Sequence, residues 1–187
     1  MVAYILYNSI YSMIILGAGI IPFSKLNNRL LFLFGNDIAY NKWSDFGGKS
    51  EKYESYLDTA VREGYEETNG FLGSKKHIKM VIENQRYPIF KTDDNRHYCY
   101  LMKIQYSKEL PHYMNNNINF IKNESPAIID NEHNGLYEKS HIDWFTIDEL
   151  KNSTEFRSYF YDIVWKLDKK YEEILNHDTK LQKKRIF

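Results

Sequence analysis

The fold of this chain is decided by one stretch, Gly47-Gly48-Lys49-Ser50-Glu51-Lys52-Tyr53-Glu54-Ser55-Tyr56-Leu57-Asp58-Thr59-Ala60-Val61-Arg62-Glu63-Gly64-Tyr65-Glu66-Glu67-Thr68-Asn69-Gly70. The two glycines predict a loop at the end of a strand, and the apolar residues that follow recur at helical spacing. On that helix Glu63, Glu66 and Glu67 fall at i, i+3 and i+4. The stretch therefore predicts a loop followed by an amphipathic helix with three carboxylates on one face.

These carboxylates suggest a cation site. Like charges on one helix face repel each other unless cations neutralise them. Mg²⁺ and Mn²⁺ prefer oxygen ligands and leave coordination positions open for water and phosphate. The alternative is a solvated helix face whose charges only keep the protein soluble, which is the usual meaning of a charge run. That alternative does not account for the glycine pair or for the fixed spacing to Arg62.

The spacing of charged residues resembles the signature of the Nudix hydrolases. Six specified positions match at the spacing of that family, in the order Gly48-x5-Glu54-x7-Arg62-Glu63-x-x-Glu66-Glu67. At average residue usage, a chance match has a probability on the order of 10⁻⁷ per starting point. The resemblance is therefore specific.

Two positions depart from the family pattern. Gly64 stands where these proteins usually carry an aliphatic residue, and a glycine inside a helix costs about 1 kcal/mol relative to alanine. It predicts close backbone packing beneath the helix. Asn69 stands where the family has its helix-ending glycine, with Gly70 one residue later. Asn also adopts the left-handed conformation of a helix end, so the helix is still expected to stop here.

The resemblance implies an α/β protein with the Nudix fold, a mixed β-sheet sandwiched between α-helices with a long C-terminal helix. The expected organisation is one Nudix domain over residues 1–176, including an N-terminal strand extension (1–16) and a long loop (111–137), followed by a basic tail (177–187). A chain of 187 residues is long enough for one sizeable core.

The resemblance also implies a chemistry, because the family hydrolyses a diphosphate linked to another group. Glu63, Glu66, Glu67 and the backbone carbonyl of Gly47 would bind Mg²⁺ or Mn²⁺. Arg62 would hold Glu63 or a neighbouring carboxylate. Glu63 would also orient or deprotonate the attacking water, unless a carboxylate from a loop does so.

Glu138 is the candidate for that loop carboxylate. It lies six residues before Trp144, where several family members carry an extra carboxylate ahead of a Trp-containing strand. This feature is less specific than the signature. The alternates are Glu124, Asp130 and Glu132, and an ordinary solvent-facing glutamate is the simplest interpretation.

Composition limits the classes of partner. Lys and Arg together number 25, as do Asp and Glu, so no overall field attracts nucleic acid or acidic membranes. Cys99 is the only cysteine, which excludes an internal disulfide and predicts a reducing, cytoplasmic location. Residues 2–23 are largely apolar, but polar residues, glycines and a proline interrupt them. We therefore predict strands there rather than a signal or membrane segment.

The remaining elements follow from local patterns. Strands are predicted at 17–24 and 30–34 with a turn between them, weakly at 87–90, and at 97–106 after a turn at 93–95. The lysines of 75–79 suggest a solvated edge strand, although the cluster could meet a phosphate. Trp43 is expected in the core rather than as a platform for base stacking. Arg96 and His97 are expected on the surface, although they could reach a substrate. A long amphipathic helix is predicted over 154–176.

Residues 111–137 show no sustained helical or strand period and contain the polar run 115–117. A loop of this length inside a domain is usually functional or mobile, so it is either a lid or selectivity loop or a tolerated insertion.

The leading functional hypothesis is hydrolysis of a small, nucleotide-derived diphosphate. Removal of the cap from mRNA, with capped RNA as substrate, is an alternative that the neutral charge disfavours, since RNA binding usually needs a basic track. Diphosphoinositol polyphosphates would likewise require a dense basic pocket. A binding or regulatory module without turnover is a further alternative, which the intact carboxylates disfavour. The sequence indicates neither the substrate-binding residues nor the oligomeric state.

Overall fold

The computed structural model describes residues 16–129 and 135–177. Most of the expected N-terminal extension and basic tail lies outside these residues, as do the alternates Asp130 and Glu132. Within the described part, no helix is long and apolar enough to cross a membrane.

The described residues form seven strands and seven helices. The strands are β1 (Gly17–Leu26), β2 (Arg29–Asp37), β3 (Lys42–Ser44), β4 (Phe46–Lys49), β5 (Ile89–Lys91), β6 (His97–Lys103) and β7 (Lys139–Phe145). The helices are α1 (Tyr56–Glu67), α2 (Lys75–Gln85), α3 (Leu110–Glu124), α4 (Pro126–Ile129), α5 (Ile147–Asn152), α6 (Phe160–Lys169) and α7 (Tyr171–Leu175).

All seven strands form one mixed sheet. Its main path runs β3-β2-β1-β6-β5, with β4 paired to the first half of β1 and β7 paired to β2. β1 and β6 run parallel, whereas β2 and β4 run antiparallel to β1. The first eight residues of β1 are all buried. This is expected of a central strand that has partners on both edges and helices on both faces.

The strand alternation divides β1 between two hydrophobic cores. Ile21 and Phe23 point to the core that α5, α6 and α7 cover, with Leu150, Ile163 and Ile174. Ala18 and Ile20 point to the opposite core, beneath α1, α2 and α3. The sheet is thus sandwiched between helices, which confirms the predicted fold class.

Helix α1 lies over the sheet as the signature predicts. Ser55 caps its N-terminus by accepting a hydrogen bond from the backbone N–H of Asp58, and Asn69 (φ 49°) and Gly70 (φ 73°) follow its end in left-handed conformations. A Cβ at Gly64 would lie 2.5 Å from Ile20 Cδ1. The close packing expected beneath this glycine is therefore present.

The prediction of an edge strand at 75–79 is wrong, since these residues begin α2. Ser74 caps this helix, and Ile78 and Ile82, four residues apart, are buried against the sheet. The lysines lie on the exposed side of the helix, so the basic cluster reflects amphipathic spacing.

The prediction of a long loop over 111–137 is also wrong for most of its length. Helices α3 and α4 occupy this region, and Met114 and Ile118 bury one face of α3. The run of three asparagines at 115–117 interrupts the apolar spacing in the sequence, and Asn115 pairs with the backbone of Ile142 in β7. Residues 130–134 lie outside the described part.

The C-terminal helix begins later than predicted and is interrupted. Residues 154–159 are not helical, because Phe156 forms an isolated bridge to Trp43 at the edge of the sheet. Helix α6 runs from Phe160 to Lys169, and α7 begins at Tyr171 after the cap residue Lys170. Trp43 is buried in the core, as expected.

Candidate active site

A cleft beside the N-terminal end of β1 is lined by three of the six signature residues, Gly48, Glu63 and Glu67, but not by Glu54, Arg62 or Glu66. It has a volume of about 690 Å³. Besides these residues, Gly17, Gly47 and Glu138 line the cleft. The lining also includes Asp37, Tyr40, Lys49, Asp94, Arg96, His97, Arg157 and Tyr159.

Arg62 connects three signature carboxylates and the preceding loop through hydrogen bonds. Its Nε and Nη2 donate to the two carboxylate oxygens of Glu54 at 2.8 and 3.0 Å. Its Nη1 donates to Glu63 Oε1 at 2.8 Å and to Glu66 Oε2 at 3.1 Å, and its Nη2 also donates to the Lys49 carbonyl. This fork of charge-assisted hydrogen bonds holds three carboxylates and the loop in one geometry. The predicted contact between Arg62 and Glu63 is present.

Gly48 is required by the position of Glu63. A Cβ at Gly48 would lie 2.5 Å from Glu63 Oε1. A Cβ at Gly47 would lie 2.5 Å from the Cα of Gly19 in β1, so both glycines allow close approach of groups that any side chain would separate. The glycine pair thus seats the Glu63 carboxylate directly against the loop backbone.

Glu67 is almost fully buried beside Lys139, a residue that sequence reasoning did not single out. Lys139 Nζ lies 3.0 Å from Glu67 Oε1 and donates to Ser44 Oγ at 2.9 Å. The other carboxylate oxygen, Glu67 Oε2, is buried and has no hydrogen-bond partner among the described residues. Glu67 also lines the cleft.

Glu66 lies at the margin of this cluster. Its oxygens accept hydrogen bonds from Lys75 at 2.8 Å and from Arg62. A Cβ at Gly135 (φ 65°) would lie 2.8 Å from Glu66 Oε2, so the loop before Glu138 passes directly over this carboxylate.

The pKa values of Glu54, Glu63 and Glu67 are shifted in different directions. Burial raises the pKa of Glu67 to about 8 although Lys139 opposes it, and burial raises the pKa of Glu63 to about 7 although Arg62 opposes it. By contrast, the hydrogen bonds from Arg62 lower the pKa of Glu54 to about 2. Separately, the cleft lining holds five carboxylates but only three Lys or Arg side chains, those of Lys49, Arg96 and Arg157.

Glu138 lies at the rim of the cleft, immediately before Lys139 in β7. Its side chain is exposed and makes no hydrogen bond or ion pair with any residue that the structure describes. Partial desolvation raises its pKa, opposed by Lys139 and reinforced by Asp37 and Glu66. The alternate Glu124 is exposed at the end of α3 and does not line the cleft.

Several residues in or beside the cleft could not be predicted from the sequence around them. Lys139, Asp37 and Arg157 meet because β2 pairs with β7 and because Arg157 follows the bridge to Trp43. His97 was expected on the surface, but its side chain is only 12% exposed and its Nε2 lies 2.7 Å from Asp45 Oδ2. Arg96 is exposed, as expected, and lines the cleft.

The donor set suits a hard divalent cation. Carboxylate oxygens and a backbone carbonyl are the ligands that Mg²⁺ and Mn²⁺ prefer. The unpartnered oxygen of Glu67 and the excess of carboxylates over cations both fit such an ion.

Comparison with known proteins agrees with this architecture. Two crystal structures of the Ap4A hydrolase of C. elegans are similar. One, a binary complex, has a TM-score of 0.52 and 14% identity, covering 84% of this chain and 98% of that chain. The other has a TM-score of 0.50 and 15% identity, covering 87% and 99%. At this identity the likeness shows the fold.

No curated protein matches this sequence significantly. A family profile described as NUDIX domain, however, matches residues 13–163, which is most of the chain. The match spans the sheet, the signature helix and the cleft. The chain therefore belongs to the Nudix family, and we identify it as an enzyme of the Nudix pyrophosphohydrolase type.

Proposed function

We propose that this enzyme hydrolyses the diphosphate linkage of a nucleoside-diphosphate derivative, with Mg²⁺ or Mn²⁺ bound at the signature helix. Glu63, Glu66, Glu67 and the Gly47 carbonyl would hold the cation. The observation that carries the proposal is Glu67 Oε2, a buried carboxylate oxygen without a hydrogen-bond partner in the described part of the chain.

Leaving such an oxygen unpaired is unfavourable, because a buried polar group without a partner costs about 1–3 kcal/mol and a charged one costs more. Lys139 already occupies the other oxygen of Glu67, so the free oxygen is the one that a second positive group could contact. Metal ligands bind in their deprotonated form. A cation would therefore reverse the raised pKa values of Glu63 and Glu67.

A bound divalent cation supplies Lewis-acid activation of a water molecule and stabilises the charge on the departing phosphate. The residues of the chain position the reaction around it. Arg62 locks Glu54, Glu63 and Glu66 together, and Gly48 keeps Glu63 against the loop. These contacts leave the helix carboxylates little freedom to rotate away from the cleft.

We assign the general base to Glu138. Glu63 already accepts a hydrogen bond from Arg62, whereas Glu138 has no partner among the described residues and lines the same cleft. A general base must be free to accept a proton at a pKa near the working pH, and desolvation raises the pKa of Glu138 in that direction. Glu63 then serves as a ligand.

We infer a nucleotide as the substrate class from Tyr40 and from the cations that line the cleft. The ring of Tyr40 is 61% exposed and lies 4.2 Å from the Arg157 guanidinium, which covers one of its faces. The open face offers a stacking surface for a nucleobase. Lys49, Arg96 and Arg157 line the same cleft as this ring and the carboxylates, and these cations would hold the phosphates of a nucleotide. For comparison, Ap4A, the substrate named for the C. elegans enzyme, is a dinucleoside polyphosphate.

The experiment is a turnover panel with Mg²⁺, with Mn²⁺ and with EDTA. It includes nucleoside triphosphates, ADP-ribose, nucleotide sugars, dinucleoside polyphosphates, diphosphoinositol phosphates and capped RNA. We expect metal-dependent release of a nucleotide from one nucleotide class. Turnover only of capped RNA or of diphosphoinositol phosphates would replace the substrate proposed here. Folded protein that turns over no member of the panel would contradict the function itself.

Three variants and one control test the residue roles. Glu67→Gln keeps the side-chain shape but removes the ligand charge, so it should abolish metal-dependent turnover. Glu83→Gln, on the exposed face of α2, is the matched control and should behave as the parent. Glu138→Gln should lower kcat by about 10²–10⁴ while leaving metal affinity unchanged. A larger kcat loss in Glu63→Gln with unchanged metal affinity would move the base to Glu63.

A further inference from the structure

A second cluster of potential metal ligands lies behind the wall of the cleft. Asp45 lies between β3 and β4, and His97 and Cys99 lie on β6. One ligand atom from each, a carboxylate oxygen, a ring nitrogen and the thiol sulfur, lies within 4.8 Å of the other two. Asp45 and Cys99 are fully buried, while His97 reaches the cleft.

All the polar groups of this cluster converge on one carboxylate. Asp45 Oδ2 lies 2.7 Å from His97 Nε2 and accepts a hydrogen bond from Cys99 Sγ at 3.2 Å. Asp45 Oδ1 accepts a hydrogen bond from the Tyr159 hydroxyl at 3.2 Å. A side chain at Gly19 would collide with Asp45 Oδ2, so the fold keeps a glycine where the cluster needs room.

We propose that Asp45, His97 and Cys99 form a second metal site, one that takes Zn²⁺ or a similar late transition metal rather than Mg²⁺. The donor set of one sulfur, one nitrogen and one oxygen is typical of tetrahedral zinc and unlike the oxygen ligands of magnesium. This inference does not depend on the proposed function. The signature carboxylates belong to a separate group, and zinc binding here can be measured without any substrate.

The geometry requires only small movements. With zinc–ligand bonds of about 2.0–2.3 Å, the ligand atoms of a tetrahedral site lie roughly 3.3–3.8 Å apart. The present separations run from 2.7 Å to at most 4.8 Å, so each ligand atom would have to move by about 1 Å or less. The fourth zinc ligand would be the Tyr159 hydroxyl or a water molecule from the cleft, which His97 and Tyr159 both line.

The charges balance without a further reactant. On binding, Cys99 releases its thiol proton to solvent, and His97 binds through Nε2 while its remaining proton resides on Nδ1. The thiolate and the carboxylate then offset the two charges of the cation. No group is oxidised or reduced. The bound ion would link the β3–β4 junction, β6 and the segment before α6, so it would stabilise the fold.

Co²⁺ is the spectroscopic probe for this site, because a thiolate ligand gives it a near-ultraviolet charge-transfer band that carboxylate ligands do not. Metal-free protein is first given excess Mg²⁺ to fill the signature carboxylates and is then titrated with Co²⁺. Since Cys99 is the only cysteine, any thiolate band must come from it. We expect one Co²⁺ per chain, a thiolate band, and loss of the band when stoichiometric Zn²⁺ is added.

Variants decide whether the three residues act as one site. Cys99→Ser should lose the band, and Asp45→Asn, which keeps the shape of the carboxylate, should weaken Co²⁺ binding about tenfold or more. His112→Ala, an exposed histidine on α3, should bind as the parent does. Circular dichroism confirms that each variant is folded. Absence of a band from the folded parent would overturn the proposal, as would a band whose affinity survives both Asp45→Asn and His97→Ala.

Thermal unfolding gives a second measurement that does not depend on the probe. Zn²⁺ at 100 times its dissociation constant should stabilise the parent by a factor of about 100 in the folding equilibrium and raise its Tm. The Tm of Cys99→Ser should not respond to Zn²⁺. Equal Tm shifts in both proteins would place the zinc elsewhere and refute the assignment.

Discussion

Replacing Asn69 with glycine would separate the effect of the backbone conformation at this position from the effect of the side-chain hydrogen bond. The backbone of Asn69 is left-handed (φ 49°), which ends α1, and its Oδ1 accepts a 3.0 Å hydrogen bond from the backbone N–H of Tyr137. Tyr137, itself left-handed (φ 60°), directly precedes Glu138, the proposed base. Glycine keeps the backbone conformation but removes the acceptor, so Asn69→Gly releases the Glu138 loop without disturbing the helix end.

The expected magnitudes follow from these contacts. The hydrogen bond contributes about 1 kcal/mol, and glycine relieves a few tenths to about 1 kcal/mol of strain at a left-handed position. The free energy of unfolding should therefore stay within about 1 kcal/mol of the parent. The same 1 kcal/mol shifts the equilibrium between tethered and untethered loop by about fivefold. We expect kcat to fall by about that factor while metal affinity is retained.

The assay compares kcat at saturating Mg²⁺ with the free energy of unfolding from urea titration. Asn28→Gly is the matched control, because Asn28 is also left-handed (φ 61°) but lies in the exposed β1–β2 turn. It should keep the parental kcat. The reasoning would be refuted by an Asn69→Gly variant with parental kcat, or by an equal loss of kcat in the control.

Three further predictions follow from the site and from the helix that carries it. Gly64→Ala should lower the free energy of unfolding by about 1 kcal/mol, because overpacking against Ile20 costs about 1–3 kcal/mol and helix propensity returns only about 1. Urea unfolding of this variant with and without Ile20→Val tests it, and a stabilised single variant contradicts it. Arg62→Lys keeps a charge but loses the two-pronged contact with Glu54, so kcat/KM should fall at least about tenfold at unchanged circular dichroism; parental kinetics would exclude the positioning role. The pKa of Glu67 rises from an ordinary value of 4.5 to about 8 on folding, so the folded state keeps a proton that the unfolded state releases. The metal-free protein should therefore lose stability as the pH rises from about 5 to about 8, and Glu67→Gln should flatten that dependence in urea titrations; equal slopes would refute it.

The parts of the fold that the sequence predicts are those with local causes. Helix α1 follows from short-range features, which are its cap at Ser55, its apolar spacing and its left-handed end at Asn69. The Asn27–Asn28 turn and the buried strands on either side of it are equally local. Each of these patterns is set by residues within one or two turns of the chain, so no knowledge of the tertiary structure is needed.

The predictions of an edge strand at 75–79 and of a loop over 111–137 were wrong because polar residues interrupt the helical spacing of the apolar ones. Helix α3 carries Leu110, Met114, Ile118 and Ile121 at helical spacing. The asparagines between these residues have poor helix propensity and hide the spacing. Helix α2 likewise carries Ile78, Val81 and Ile82 behind a serine cap. In both helices burial of a narrow apolar stripe outweighs poor intrinsic propensity, since tertiary packing supplies most helix stability in proteins.

The contact of Lys139 with Glu67 shows why the signature alone does not predict which carboxylate oxygens are paired. The lysine reaches Glu67 only because β7 pairs antiparallel with β2, and because Gly35 of β2 leaves room for its aliphatic stem, where a Cβ would lie 2.7 Å from Lys139 Cγ. Lys139 occupies Glu67 Oε1, which leaves Oε2 open. The signature thus identifies the carboxylates, whereas a strand pairing about 70 residues further along the chain decides which oxygen remains available to a cation. Substitution of Gly35 by alanine would push the lysine away from Glu67, so it should alter metal affinity from a position outside the signature.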